Sequence, residues 1–167
     1  VKLMIMGHAR HGKDTVCEIL RDTYGFTFES SSMAAARYAI YPVLKDLIGY
    51  QTLEECYNDR YNHRALWFEL IKAYNHRDGA RLGRTIFADH DIYCGIRNEA
   101  EFMAIKEENL FDCSVWVDAG KRVPAETTSS CTVSCEMADM LVDNNGSLQD
   151  LRWEVAGLVK ILRDWRG

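Results

Sequence analysis

Gly7-His8-Ala9-Arg10-His11-Gly12-Lys13 carries the GxxxxGK spacing of a phosphate-binding loop, with Asp14 and Thr15 directly after it. It lies between a short apolar run, Lys2 to Met6, and a stretch from Lys13 to Tyr24 with helical periodicity. That is the context the chemistry needs. Glycines let backbone N–H groups turn toward phosphate oxygens, the helix N-terminus adds its positive end, and a lysine reaches the outer phosphates. A tight turn accounts for the glycines but leaves Lys13 unexplained. These nine residues are therefore expected to hold a nucleoside triphosphate.

Asp14 stands where Ser or Thr commonly meets magnesium, and Thr15 follows one position later. A carboxylate there can ligate Mg²⁺ or take a proton from an acceptor hydroxyl. It could equally be a first-turn acid that complements the helix dipole. A second informative segment, Asp91-Ile92-Tyr93-Cys94-Gly95-Ile96-Arg97-Asn98-Glu99, sets Arg97 just past a strand's C-terminal end, where ligands gather in open α/β sheets. Its guanidinium suits a phosphate or the charge on a transferred phosphoryl group. The competing expectation is a surface pair with Glu101, four residues on. Asp118, after Val115-Trp116-Val117, is a reserve carboxylate for magnesium or else a loop cap.

The elements that must position these groups follow from periodicity. Lys2–Met6 reads as a strand, Lys13–Tyr24 as a helix with Val16, Cys17, Ile19 and Leu20 inward, and Phe26–Glu29 as a second strand. Ser30-Ser31-Ser32 offers capping hydroxyls to a helix over Met33–Ile48, kinked at Pro42. Thr52 with Glu55 fits a capping box for one helix running to Tyr74, with Tyr57, Tyr61, Arg64 and Phe68 along a stripe. Asn75 to Gly79 breaks it, and a shorter helix passes through Leu82 and Ile86. Strands at Asp91–Cys94, Cys113–Val117 and Met140–Val142 alternate with a helix over Asn98–Lys106 and a final helix capped by Ser147 and carrying Leu148, Leu151, Val155, Leu158, Val159 and Leu162. The expected fold is α/β, a five-stranded parallel sheet with helices on both faces.

At 167 residues, with 47% hydrophobic and 27% charged, the chain matches the common size of one domain and can bury a sizeable core. A single domain over residues 1–167 is expected. No apolar run is long enough to cross a membrane or to form a signal peptide's apolar region, so the reading is cytosolic with no membrane partner. The six cysteines lack CxxC spacing and read as free thiols. Cys131 and Cys135 form half a zinc site at most. The net charge of −5 argues against nucleic-acid binding by the whole surface, yet Tyr57–Thr85 carries +3 and the rest −8.

The GKDT loop, the strand ending in Gly-x-Arg-Asn-x-x-Glu, and Ala138-Asp139 through Asp143-Asn144-Asn145-Gly146-Ser147-Leu148 resemble P-loop kinases of the nucleoside-monophosphate and thymidylate kinase group, over nearly the whole chain. Gly7–Thr15, Tyr57–Arg64 and Tyr93–Arg97 are most similar to the phage branch, and within it to the 5-hydroxymethyluracil DNA kinases. The resemblance implies ATP and Mg²⁺ as cofactors, Lys13 on the phosphates, Arg97 in the acceptor or phosphoryl site, and Ser31 on the acceptor side. Many of those enzymes have an acid where this chain has Cys94, and Asp14 is the candidate replacement. Their lids bring several arginines over the phosphates. Here Asp118–Glu136 offers only Lys121 and Arg122, so a short lid is expected, with Arg122 toward ATP and an open acceptor side.

An open site suits a base displayed on a polymer, which also needs a positive track. Arg60 with Arg64, then Arg77, Arg81 and Arg84, recur at helical spacings. Tyr57, Tyr61, Trp67, Phe68 and Tyr74 are interleaved as stacking candidates, a pattern that core residues also produce. The function expected is ATP-dependent phosphorylation of the hydroxymethyl group of 5-hydroxymethyluracil in DNA. In that reading Lys13, Asp14 and Arg97 are catalytic, Asp14, Thr15 and Asp118 serve metal, and Ser31, Arg60, Arg64, Arg81, Arg84 and Arg97 serve the acceptor. A kinase for free deoxynucleoside monophosphates and a non-catalytic ATP-binding switch are the alternatives.

Overall fold

The computed structural model describes residues 1–128 and 130–166. Strands β1 (Leu3–Met6), β2 (Phe28–Ser30), β3 (Ile92–Cys94), β4 (Cys113–Asp118) and β5 (Met140–Asp143) form one sheet in the order β2-β3-β1-β4-β5, every neighbouring pair parallel. All four side chains of β1 are fully buried, as a central strand covered on both faces demands. Its register sets Leu3 beside Ile92 and Cys113, and Met6 beside Trp116.

Helix α1 (Lys13–Tyr24) starts from Gly12 and ends at Gly25, whose N–H closes on Arg21 and Leu20 carbonyls. α2 (Ser31–Ala35) is capped by Ser30, whose Oγ accepts the Met33 N–H at 3.1 Å. The expected continuous helix to Ile48 is replaced by two wide π turns, Ala36–Ile40 and Lys45–Gly49, around a short α3 (Tyr41–Leu44). Pro42 has no N–H for the ladder, and the Tyr41 N–H reaches five residues back to the Ala36 carbonyl.

The Thr52 hydroxyl caps α4 (Leu53–Asn58) by accepting the Glu55 N–H at 3.2 Å. The single helix expected to Tyr74 is interrupted here by a 3₁₀ turn, Asp59–Asn62, before α5 (Arg64–Tyr74). The Asp59 carboxylate causes the break by gathering the Tyr50 hydroxyl at 2.6 Å, Asn62 Nδ2 at 2.6 Å and His63 Nε2 at 3.0 Å. α6 (Arg81–Asp89) and α7 (Glu99–Glu107) follow, the latter capped by Asn98. α8 (Leu148–Arg166) begins with a reciprocal cap: Ser147 Oγ accepts the Asp150 N–H and Asp150 accepts the Ser147 N–H.

Alternation along the strands divides the core. Leu3, Ile5, Cys94, Val115 and Val117 pack against Val16, Cys17 and Leu20 of α1 and Leu151, Val155 and Leu158 of α8. Met4, Met6, Tyr93 and Trp116 face Ala34, Ile86, Phe87, Phe102 and Ile105 of α2, α6 and α7. Helices therefore cover both faces. A third cluster, Ala36, Ala39, Ile40, Leu44, Cys56 and Trp67, holds the insert between α2 and α5 together.

Between β4 and β5 the regular structure among the described residues is one 3₁₀ turn, Cys135–Met137, so this segment is a strap without a helical lid. All six cysteines are free thiols. No helix among the described residues is long and apolar enough to cross a membrane.

Candidate active site

The C-terminal ends of β1, β3 and β4 meet at the loop Gly7–Gly12. Gly7 has φ +149°, and a Cβ there would lie 2.6 Å from the Val117 carbonyl oxygen; Gly12 has φ +95°, and its Cβ would lie 2.3 Å from Asn144 Nδ2. Both positions demand glycine for conformation and for space. Arg10 adopts φ +62°, the left-handed bend in the loop's middle. Lys13 Nζ donates to the His8 carbonyl at 2.8 Å, bringing the ammonium back over the loop. Burial and then the nearby Arg97 lower the Lys13 pKa from its ordinary value. Ser31 Oγ donates to the Gly95 carbonyl at 2.9 Å, just past the C-terminal end of β3.

The side chain of His11, one of the residues expected at the nucleotide, is turned away from the loop's mouth. Its ring is buried: Nδ1 accepts the Ala119 N–H at 3.0 Å, which leaves Nε2–H to donate to the Val123 carbonyl at 3.1 Å. With Nδ1 acting as an acceptor, its 4.0 Å approach to Asp118 is no ion pair. His11 instead ties the loop to the strap. Asn144 completes the tie by donating Nδ2 to the His11 carbonyl at 2.9 Å and its backbone N–H to the Asp118 carbonyl at 2.7 Å. Arg122 donates twice to the Asn144 carbonyl, at 2.9 and 2.6 Å, and this holds it beside the loop. Asp118 accepts the Gly120 N–H at 3.1 Å and Asn145 Nδ2 at 3.0 Å, the loop-cap arrangement. Spacing alone makes Asn144 and Asn145 a turn; a pair of asparagines directly after a strand is the signal that points to this further role.

Asp14 is exposed, and its Oδ1 accepts the buried Cys94 thiol at 3.5 Å. The carboxylate thus leans over the end of β3 from a helix position. Asp14 and the half-buried Thr15 are the oxygen donors at the loop's exit that fit a hard cation such as Mg²⁺.

Arg97 does not pair with Glu101. Glu101 accepts the Tyr93 hydroxyl at 2.7 Å, and loss of water raises its carboxyl from 4.5 to about 7. Arg97 Nη1 pairs instead with Glu126 Oε1, while Glu126 Oε2 accepts the Ala9 N–H at 2.7 Å. Burial alone would raise the Glu126 carboxyl, but Arg97 and the Ala9 N–H hold it below the ordinary carboxylate range. Glu126 escapes a reading of the strap that looks only for lid arginines.

His8, Glu126 and Cys131 bring possible metal-ligand atoms within 4.8 Å of one another. The His8 pKa is lowered by burial and then by His11, while Glu126 works to raise it and Lys13 and Arg97 to lower it further. Cys135 is exposed and, among the described residues, lies outside this group.

In the insert between β2 and β3 the Arg60 guanidinium sits 3.8 Å from the Tyr57 ring centroid and 4.3 Å from that of Tyr61, and Arg64 lies 5.0 Å from Tyr61. Arg60 Nη2 donates to the Tyr61 hydroxyl at 2.7 Å. Tyr61 is 60% and Phe68 65% exposed, whereas Trp67 belongs to the core. Arg81 stacks 3.9 Å from Tyr74. Arg84 stands apart from these, paired with both Asp78 and Glu108 at 2.8 Å.

No family model matches this sequence, and a search of curated proteins finds no relative. Among solved structures, TT1252 from Thermus thermophilus matches 97% of this chain and 97% of its own, with TM-score 0.52 and 18% identity. A gluconokinase from Sinorhizobium meliloti 1021 matches over 99% and 95%, with TM-score 0.49 and 16% identity. Shikimate kinase from Aquifex aeolicus vf5 matches over 96% and 96%, with TM-score 0.49 and 12% identity. Sheet order, all-parallel pairing and the strand–loop–helix at residues 3–24 define the chain's fold as the α/β P-loop fold.

Proposed function

We propose that this protein is an ATP-dependent kinase with a hydroxyl acceptor, and that the acceptor is the hydroxymethyl group of 5-hydroxymethyluracil in DNA. One observation carries the phosphotransfer reading: a single carboxylate, Glu126, spans the Ala9 N–H of the loop and the Arg97 guanidinium. An anion held by the loop therefore lies within reach of Arg97, as a phosphoryl group in transit must.

The residues divide the work accordingly. Loop amides and Lys13 hold the phosphates, and Arg97 meets charge that develops on the transferred group. Asp14 accepts the acceptor's proton as the oxygen–phosphorus bond forms and the bond to ADP breaks. Mg²⁺, for which Thr15 or, in place of its role as base, Asp14 is the available ligand, would supply charge neutralisation on the phosphates when bound.

The acceptor assignment draws on two features. A neutral hydroxyl gains from a general base, whereas a phosphate acceptor is already an anionic nucleophile, and Asp14 is exposed at the right rim. The group Tyr57, Arg60, Tyr61, Arg64 alternates rings and cations and leaves Tyr61 and Arg64 exposed, which suits a nucleic-acid strand. Offering labelled ATP with hydroxymethyluracil DNA, the free monophosphate and unmodified DNA in parallel tests this. Label is expected in the modified DNA; label in the free monophosphate alone would select the nucleotide kinase, and label in none would leave an ATP-binding switch.

A further inference from the structure

Glu126 has no part in the reaction just described, yet it makes the contacts that a bound phosphate would make. Its Oε2 takes the Ala9 N–H at 2.7 Å and its Oε1 the Arg97 guanidinium, while its own N–H donates to His8 Nδ1 at 3.3 Å. Asp118 accepts the Gly120 N–H and Asn145 Nδ2, and Asp139 accepts the Ser114 N–H and hydroxyl, so neither takes a donor from the loop at residues 7–12. Glu126 reaches instead across the chain to an amide that the loop's curvature directs inward. The strap is anchored beyond it, where the Thr132 N–H donates to the Arg97 carbonyl at 2.8 Å and the Glu99 N–H to Thr132 Oγ1 at 2.9 Å. Displacing the Glu126 side chain therefore need not release the strap.

We propose that Glu126 determines the nucleotide affinity of the loop by competing with a nucleotide phosphate for the Ala9 N–H and Arg97. This rests on residues 7–15 being the nucleotide site. A carboxylate and a phosphate oxygen are both anionic acceptors, and the amide and guanidinium cannot serve both at full strength. A triphosphate wins because it also takes Lys13 and the helix N-terminus, contacts that one carboxylate cannot make. Arg97 is then transferred from Glu126 to the phosphoryl group. The competition weakens binding, speeds product release, and keeps Arg97 held near its working position between turnovers.

The test is calorimetric titration of ATP, inorganic tripolyphosphate and adenosine into the wild-type chain, Glu126→Gln and Glu126→Ala, with Lys13→Ala as reference. Glu126→Gln keeps the shape and the contact to Ala9 without the charge, which guards against a misfolded alanine variant. Both Glu126 variants are expected to bind ATP and tripolyphosphate about tenfold or more tightly than wild type, from removal of a charge-assisted competitor, with adenosine unchanged. Equal or weaker polyphosphate binding in both, with Lys13 still required, would overturn the competition. ATP binding indifferent to Lys13 would instead overturn the nucleotide-site reading.

Discussion

Asp14 reaches the end of β3 from a helix, where its Oδ1 accepts the buried Cys94 thiol at 3.5 Å. If Asp14 is the base, Asp14→Asn lowers kcat on hydroxymethyluracil DNA by about 100-fold or more and flattens the acidic limb of the pH–rate profile. ATP affinity stays near wild type. A metal-binding defect would yield to raised Mg²⁺ and a missing base would not, so recovery of the rate at high Mg²⁺ reassigns Asp14 to the metal. Glu101 makes a stability prediction of a different kind. Its folded carboxyl keeps its proton up to about pH 7, whereas an ordinary one releases it near 4.5. The folded state thus holds the extra proton in that interval. The group's contribution is full below about pH 4.5, falls as pH rises to about 7, and is constant beyond. Glu101→Gln should therefore gain on the order of 2 kcal/mol relative to wild type between pH 5 and pH 8, measured by urea unfolding. Parallel stability curves for the two proteins would contradict the desolvated carboxyl.

The insert between β2 and β3 is where element-level reasoning has most to explain. Helical periodicity runs from Thr52 to Tyr74 without a break, yet Asp59 draws three side-chain donors to itself and turns the chain at Asn58–His63. That turn, and not a continuous stripe, brings Arg60 between the rings of Tyr57 and Tyr61. Competition between a carboxylate and the backbone ladder depends here on a donor nine residues away, Tyr50, so spacing alone could not reveal it. The same limit applies at Pro42, where the kink was foreseeable and the two flanking π turns were not. Functionally, the insert separates arginines that composition groups together. Neutralising Arg60 and Arg64 should weaken DNA binding and lower its salt slope by up to about one for each phosphate left without its cation. Arg84→Ala should leave both nearly unchanged, because Asp78 and Glu108 already balance its charge. Salt-dependent binding titrations check both statements, and equal effects from the two sets would dissolve the distinction.

At the scale of the molecule, the sheet was readable because β1 and β4 are apolar runs bounded by glycine or aspartate, and the phosphate-binding loop could be placed because its spacing follows a strand and opens a helix. The positions of Lys13 at the start of α1 and of Arg97 just past β3 were legible for the same reason. Glu126, His11 and Asn144 were not, since each acts on residues over 100 positions away and has no local spacing to betray it. The strand order puts β1 at the centre, with the loop at its end between the insert on one side and the strap on the other. The glycine loop is thereby set at the middle of the sheet's C-terminal edge, and the Arg–Tyr group lies in the insert that follows β2. The central claim, that these parts together phosphorylate a base within DNA, is tested most directly by mass spectrometry of the nucleosides obtained by digesting hydroxymethyluracil DNA after incubation with ATP. Added mass of one phosphoryl group on the hydroxymethyluracil nucleoside, absent with Lys13→Ala, is the predicted result. Unmodified nucleosides from that DNA, with phosphoryl transfer to free monophosphates in the same reaction, would contradict it.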